Sequence, residues 1–469
     1  MTDGDSQRSS RPPSPPQPRR QPQPPRAPQP LPSARPLRIA LLTYSTKARG
    51  GVVATLCLAE ALARAGHRVD VWTLARGGDL GFFRPVDPAV RVRAVAFPDR
   101  EGETVGERVL RSIDTLGAAF RTHTDVHGSA GPDGPATPVT PATPVTTNGY
   151  DITHAQDCIS ANAVPDCVRT VHHLDTFTTP ELIACHERAL RRPYAHVCVS
   201  AAVAAELAAG WGITATVIPN GVEAGRFAAA AGDGPTARAA RAAWRDRLGR
   251  YVLAVGGIEP RKGTLDLVEA MARLRVRPAP ADGPAQADGS SACADGPVQA
   301  DEPAEPEVPT DADGPKPSLV IAGGETLFDY RDYRAAVVAR AAELGVEPVL
   351  LGPVPHAELP SLVAAADAFA FPSVKEGFGL AAMEALAAQV PVVTRDLPVL
   401  REVFAGAVRF AATPADLAAE LAAALAGPDP ARRAAGAALA AQHSWDQAAA
   451  AHVDLYRRLL AQRDAVSSV

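Results

Sequence analysis

The chain predicts an α/β protein made of two doubly wound, Rossmann-like domains in tandem, facing each other across a cleft. Three observations predict it. Short continuous apolar runs alternate with helical periods, glycine-containing turns follow several of the runs, and the whole alternation restarts near residue 251. A continuous apolar run suits a strand buried on both faces, and strand–helix–strand alternation implies a parallel sheet.

Residues 37–44 (LRIALLTY) form the first such run. Gly50 and Gly51 then lead into an apolar helical period that stops at Gly66, and residues 67–74 (HRVDVWTL) are the next strand. A strand over 91–97 and a helix over 106–121 extend this half. The segments 152–156 (ITHAQ), 167–175 (CVRTVHHLD), 195–200 (AHVCVS) and 214–222 (TATVIPNGV) continue it, with a helix over 180–191. The second half opens with a helical stretch near 235–248 and the strand 251–257 (YVLAVGG). It then alternates through strands at 318–324, 347–352, 368–373 and 390–394, with helices to about 275 and at 331–344, 356–366 and 380–388. Tail helices are expected at 413–426, 430–441 and 445–462, the last opened by the capping pair Ser444 and Gln447.

Composition separates folded from unfolded sequence. Proline is 45 of 469 residues, near twice the usual share of about 5%. The excess gathers in a Pro/Arg tail at 1–36, a Pro/Thr/Gly stretch at 122–149 and an acidic ADGP-repeat stretch at 278–316. These cannot bury enough apolar surface to offset their ordering entropy, so all three are expected to be disordered. The domains expected are an N-terminal Rossmann-like domain over 37–224, a C-terminal one over 225–428, and helices over 429–469. The ADGP stretch carries −8 and the Pro/Arg tail +4 against a net charge of −5 for the chain, which leaves the folded part near neutral and without a footprint for nucleic acid. No apolar run is long enough for a membrane span, and no apolar run follows the N-terminal arginines as it would in a secretory signal. The six cysteines show no CxxC and no disulfide spacing, so they read as reduced thiols in the cytoplasm.

Two turns carry the chemistry. Residues 372–380 (PSVKEGFGL) followed by Glu384 place two acids around a strand-to-helix turn, whose exposed N–H groups favour negative ligand oxygens. Residues 256–263 (GGIEPRKG) also follow a strand and precede a helix, and Arg261 with Lys262 could hold a diphosphate, the arginine bidentately. Taken singly, the first is equally a helix start with one capping acid, and the second is more often an exposed basic pair.

Together with the Gly50-Gly51 loop, TVHHLD at 170–175, VIPNGV at 217–222, LGPVP at 351–355 and the run EGFGLAAMEALAAQVPVV, these turns resemble the family-4 retaining glycosyltransferases of the GT-B fold, in a bacterial subfamily whose acceptor the sequence does not assign. The resemblance implies a hexosyl transfer from a nucleoside-diphosphate sugar, UDP- or GDP-linked, with 37–224 as the acceptor domain, 225–428 as the donor domain and the C-terminal helices packing back on the N-terminal domain. It implies that Arg261 and Lys262 contact the diphosphate and that Glu376 meets donor-sugar hydroxyls. Gly377, Phe378, Gly379 and Leu380 present backbone beside Glu376. Glu384 binds ribose hydroxyls, Val354 lies in the loop that holds the base, and Gly51 lets backbone reach the phosphates. His172 reaches the donor sugar near the reacting carbon, in preference to His173. Two departures stand out. Gly257 occupies a position often held by arginine, a charge that Arg261 on the same loop can supply. Gln389 replaces the usual glycine before the PVV strand and reads as a packing position.

No metal and no cofactor are expected. The DxD pattern of metal-dependent glycosyltransferases occurs only at Asp3–Asp5 and Asp311–Asp313, in sequence expected to be disordered, and His172, His173, Cys185 and His186 match no standard zinc spacing. A dinucleotide-dependent dehydrogenase is excluded because neither glycine pair extends to GxGxxG. The alternatives left are a non-catalytic nucleotide-sugar binder and a nucleotide-sugar epimerase of the same fold. The acceptor, whether small molecule, lipid or glycan, is unread. Arg188, Arg191 and Arg192 either approach anionic lipid at the inner membrane face, as a peripheral protein would, or are simply solvated.

Overall fold

In the N-terminal half, β1 (Arg38–Leu42), β2 (Arg68–Arg76), β3 (Val90–Phe97), β4 (Ile152–Ala155), β5 (Val168–Val171), β6 (Ala195–Cys198) and β7 (Thr216–Val217) form one parallel sheet in the order β3-β2-β1-β4-β5-β6-β7. The helices between them are α1 (Gly50–Arg64), α2 (Val105–Thr122), α3 (Cys158–Ala163), α4 (Pro180–Arg191) and α5 (Ala201–Trp211). The strand order reverses between β1 and β4, so the chain ends leaving these two strands open a crevice. The coordinates are a computed structural model that describes residues 35–78, 80–123, 149–177, 179–275, 316–324 and 330–467. The tail and both insertions expected to be disordered lie almost wholly outside those residues.

In the C-terminal half, α6 (Ala224–Ala231) and α7 (Pro235–Leu248) precede β8 (Tyr251–Val255), α8 (Thr264–Arg275), β9 (Ser318–Ala322), α9 (Arg331–Glu343), β10 (Val349–Gly352) and α10 (Leu359–Ala365). Then follow β11 (Ala368–Phe371), α11 (Leu380–Ala387), β12 (Val392–Arg395), α12 (Pro398–Phe404), β13 (Arg409–Ala411), α13 (Pro414–Ala426), α14 (Pro430–Gln442) and α15 (Trp445–Ser467). The six strands run β10-β9-β8-β11-β12-β13, again parallel and again reversing order after the first strand. The expected fold class is therefore the observed one. Helices α3, α5, α6 and α12 and strand β13 are additional to the sequence expectation, because their short or alanine-rich runs carry little periodicity.

Each sheet is buried on both faces. One face of the N-terminal sheet packs Ile39, Leu41, Val69 and Val71 against α1 and α15, and the other packs Leu42, Trp72 and Leu74 against Leu116 and Phe120 of α2. In the C-terminal sheet Leu253 and Phe369 face α6, α10 and α11, while Val252 and Val393 face α8 and α13. The tail helices divide their allegiance. α14 stays on the C-terminal domain, where Gly436 lies against Leu386 of α11, and α15 crosses to the N-terminal domain through buried Trp445 and Tyr456. Ser444 and Gln447 exchange the expected capping hydrogen bonds at 3.1 and 3.2 Å. No described helix is long and apolar enough to cross a membrane.

Gln389 corrects an expectation. Its side chain is exposed, so this is no packing position, and its φ of 59° puts it in the left-handed region between α11 and β12. A non-glycine residue there costs about 1–2 kcal/mol, against roughly 0.4–1 kcal/mol of extra unfolded-state entropy when glycine is introduced. Gln389→Gly is expected to stabilise the protein by about 0.5–1 kcal/mol, read as a raised denaturant midpoint at unchanged m-value.

Candidate active site

The loop between β8 and α8 is built to hold two cations still. After Gly256 the chain makes a 3-10 turn at Pro260–Lys262 and leaves it through Gly263, whose φ is +64° and where a Cβ would overlap the Pro372 carbonyl. Val374 N–H donates to the Arg261 carbonyl at 2.8 Å, which ties this loop to the one between β11 and α11. Across that tie Lys262 Nζ lies 2.5 Å from Glu376 Oε1, and Arg261 lies 3.5 Å from the same oxygen and 2.7 Å from Glu259. Burial pushes the Glu376 carboxyl up, but the Lys262 and Arg261 charges outweigh it and hold its pKa down at about 2. Glu376 is therefore ionised at every working pH, and both cations are aimed at one point before any ligand arrives.

Glu384, one turn into α11, meets a different environment. Burial raises its pKa to about 8, the Arg226 charge opposes this in part, and Glu223 adds to it. Arg226 itself reaches Glu223 at 3.3 Å and His356 Nε2 at 2.6 Å, and Phe83 of the N-terminal domain sets its ring edge-on to His356 at 5.7 Å. Val354 and Leu380 pack on the same core as this corner. Phe378 is buried in that core, so only its backbone is free to meet a ligand. Gly379 caps α11, whose first turn has no side-chain cap and leaves its N–H groups open to an anion.

The N-terminal domain closes the site at the end of β5. The His172 ring lies beside Gly51, where a Cβ would come to 3.6 Å, and its Nε2 is 3.3 Å from Gln156 Oε1. Burial, with His173, Arg169 and His452 adding to it, pushes His172 down to about 3, so the ring is neutral. His173 pairs with Asp175 at 3.1 Å and lies near enough to Glu376 to help hold that carboxyl ionised. Gly51 opens α1, which also has no side-chain cap and no acid in its first turn. The His172 carbonyl presses against Gly377, where a Cβ would overlap it, so the histidine strand and the glutamate loop touch backbone to backbone.

The structure thus brings together Gly51, His172, Arg261, Lys262, Glu376, Gly377 and Gly379, with Val354, Leu380 and Glu384 lining the adjoining corner. Sequence reasoning missed Gln156, Arg226, Glu223 and His356. Gln156 could have been found from its place at the end of β4, beside the strand-order reversal. Its Nε2 is buried without a partner. His172, His173, Cys185 and His186 do not form a ligand set, and no group of three or more metal-ligating side chains occurs among the described residues.

Two Rossmann-like domains whose glycine-containing strand-end turns face one another, with a histidine and a glutamate between them, define the GT-B class. Comparison with known proteins gives the family. Residues 48–226 match the pattern described as Glycosyltransferase Family 4, and residues 307–439 match Glycosyl transferases group 1. The chain belongs to the family-4 glycosyltransferases. It is 31% identical over 260 residues to the D-inositol 3-phosphate glycosyltransferase of Salinispora arenicola, covering 52% of this chain and 50% of that one. The chain spans about half the length of the curated relatives it matches. Among solved structures, sucrose-phosphate synthase from Thermosynechococcus elongatus superposes with a TM-score of 0.62 at 19% identity, covering 91% of this chain and 100% of that one. Anabaena HepE in complex with UDP and glucose superposes at 0.57 and 17%, covering 90% and 100%. At such identities the likeness is one of fold.

Because Gly377 meets the His172 carbonyl, Gly377→Ala is expected to force the two loops apart. Affinity for a nucleoside diphosphate should fall about tenfold or more, roughly 1.4 kcal/mol, while far-UV circular dichroism stays that of wild type. Equal affinity in the variant would show that this contact does not shape the site.

Proposed function

We propose that the protein transfers a hexosyl group from a nucleoside-diphosphate sugar, UDP- or GDP-linked, to an acceptor hydroxyl with retention at the anomeric carbon. The observation that carries the reading is the Lys262–Glu376–Arg261 cluster, facing His172 and the open end of α1 across the cleft. UDP and glucose bound to a protein of the same fold favour this donor class.

The chemistry follows from charge. As the bond from the anomeric carbon to the diphosphate breaks, the leaving group gains about one negative charge. A fixed cation at about 4 Å contributes up to about 4 kcal/mol at an effective dielectric near 20, and only the part that grows toward the transition state speeds the step. Half of it, for each of Arg261 and Lys262, is more than a factor of ten in rate. On this reading the two cations do the work that a metal does elsewhere. Glu376, already ionised, accepts from donor-sugar hydroxyls and fixes the ring, and neutral His172 hydrogen-bonds the sugar without adding charge. Attack occurs on the face the phosphate leaves, with the departing oxygen taking the acceptor proton. A covalent glycosyl-enzyme trapped on any Asp or Glu would overturn this route. A nucleotide-sugar donor and five free described cysteines favour a cytoplasmic site of action.

A thermal-shift titration with UDP, GDP, ADP and NAD tests the reading. A ligand at 100 times its dissociation constant adds about 2.7 kcal/mol of stability. One nucleoside diphosphate should stabilise wild type, and Arg261→Ala/Lys262→Ala should abolish the shift. Stabilisation by NAD alone, or by nothing, would sink it.

Glu384 supplies a second test. Its folded pKa of about 8 lies above the unfolded value of 4.5, so between those values the folded state holds a proton that the unfolded state lacks. Stability from this group is full below the unfolded pKa and is lost as pH rises through about 8. Ribose hydroxyls donate to the ionised form, so nucleotide binding near neutral pH should release a proton. Calorimetry in buffers of different ionisation enthalpy should show that release in wild type and not in Glu384→Gln.

A further inference from the structure

On the N-terminal side of the cleft, a group of arginines gathers around Tyr44 that the donor reading does not use. Tyr44 follows β1. Its hydroxyl accepts from Arg49 Nη1 at 2.6 Å, and its ring has the guanidinium carbons of Arg49 and Arg76 at 5.4 and 5.6 Å from its centre. Arg76 ends β2. It donates through Nε to the Tyr44 carbonyl at 3.3 Å and through Nη2 to Ser112 Oγ at 2.9 Å, and it lies 5.0 Å from the centre of the Phe97 ring.

The neighbouring carboxylates are already taken. Glu103 is held bidentately by Arg111 at 2.5 and 2.7 Å and approached by Arg108 at 3.5 Å. Asp157 accepts from the Tyr44 N–H, the Ser160 N–H and the Ser160 hydroxyl, and burial raises its pKa, which weakens it as a counter-charge. Neither Arg49 nor Arg76 makes an ion pair among the described residues, and Arg49 Nε is buried without an acceptor. Burial also pushes Arg76 down to about 10, Arg49 and Arg108 repel its charge, and Tyr44 and the buried Asp157 oppose that only in part. Two guanidiniums kept close, partly buried and unneutralised are costly, and such cost gathers where a ligand relieves it.

The position fixes which ligand. Arg49 immediately precedes α1, two residues before the Gly51 that lies beside His172, and Tyr44 stands within electrostatic reach of Arg261. The cluster therefore stands on the reacting side of the cleft, in the domain opposite the donor cations.

We infer that Arg49 and Arg76, with the Tyr44 hydroxyl, bind a phosphate monoester carried by the acceptor. The inference rests on the glycosyl-transfer reading for the word acceptor, and on the arginines alone for the phosphate. Two forked guanidiniums match a phosphate dianion in charge and geometry. The step balances without that phosphate reacting. The acceptor hydroxyl oxygen forms the new bond to the anomeric carbon, the old carbon–oxygen bond gives its electron pair to the nucleoside diphosphate, and the hydroxyl proton ends there.

The test is calorimetry with inorganic phosphate and glucose 6-phosphate. Each is titrated into full-length protein saturated with UDP, and into Arg261→Ala/Lys262→Ala without nucleotide, so that the donor cations cannot bind the probe. One site per chain is expected in both. Arg49→Gln should lower the affinity about tenfold or more, roughly 1.4 kcal/mol, and glucose should not bind in place of its phosphate. Arg76→Gln should do the same, and Arg49→Gln keeps the test valid should the more buried change unfold the chain. A second arm presents the phosphate as phosphatidic acid in neutral phosphatidylcholine vesicles. Arginine-dependent binding of the soluble probes points to a soluble polyol phosphate, and arginine-dependent binding of the vesicles alone points to a lipid-borne one. Equal affinity in wild type and Arg49→Gln, or preference for a carboxylate such as glucuronate over glucose 6-phosphate, overturns the inference. Failure of both UDP and GDP to bind, with the phosphate arm intact in the double variant, would fault the donor reading and leave the arginine site standing.

Discussion

Everything at the site depends on one close approach, that of the His172 carbonyl to Gly377. It sets the distance between the ends of two sheets that belong to different domains. Because backbone meets backbone, no side-chain rotamer can take up slack, and the geometry on either side is inherited by the whole cleft. Other links hold the same closure from further out. Glu402 of α12 accepts from the first two N–H groups of α5, Ala201 and Ala202, each at 2.7 Å, and so caps a helix of the opposite domain. Lys375 reaches Glu206 at 3.3 Å, and α15 straps the C-terminal end of the chain to the N-terminal sheet. The charge on Glu402 is favourable at a helix N-terminus for the same reason that a phosphate is at α1.

Inside that frame, burial and neighbouring charge push the titratable groups apart. Two glutamates eight residues apart end in opposite states, Glu376 ionised because two cations face it and Glu384 inclined to keep its proton because burial outweighs Arg226. His172 is kept neutral by burial and by the cationic groups around it. Separation of this kind lets one cleft hold an anion acceptor, a hydroxyl binder and an uncharged donor within reach of one substrate.

Much of this was legible in the sequence, and the reasons differ by level. The parallel sheets followed from β1, β8, β9 and β11, whose nearly unbroken apolar runs leave few other environments open to them. The donor loops were legible because EGFG and PRKG join glycine to charge at strand ends, where backbone and side chain both face a ligand. Arg49, Arg76 and Gln156 were not legible, since each is an ordinary residue whose meaning comes from neighbours that the fold supplies from other strands. Gln389 was misread because its requirement is a dihedral angle, which a side chain does not announce. Helices α3 and α5 escaped because alanine-rich sequence has propensity without a marked apolar stripe.

The chain leaves the described fold at the end of α2 and returns at β4, and leaves again at the end of α8 and returns at β9. Both exits join the tail of a helix to the head of a strand, which in a parallel sheet is the rim remote from the strand ends that carry the chemistry. Length added at such seams costs little closure entropy and starts from the rim opposite the strand ends that carry the chemistry. The architecture therefore has a working rim and a permissive rim, and foreign sequence spliced into the permissive one, a reporter or a tether, should ride along without disturbing turnover.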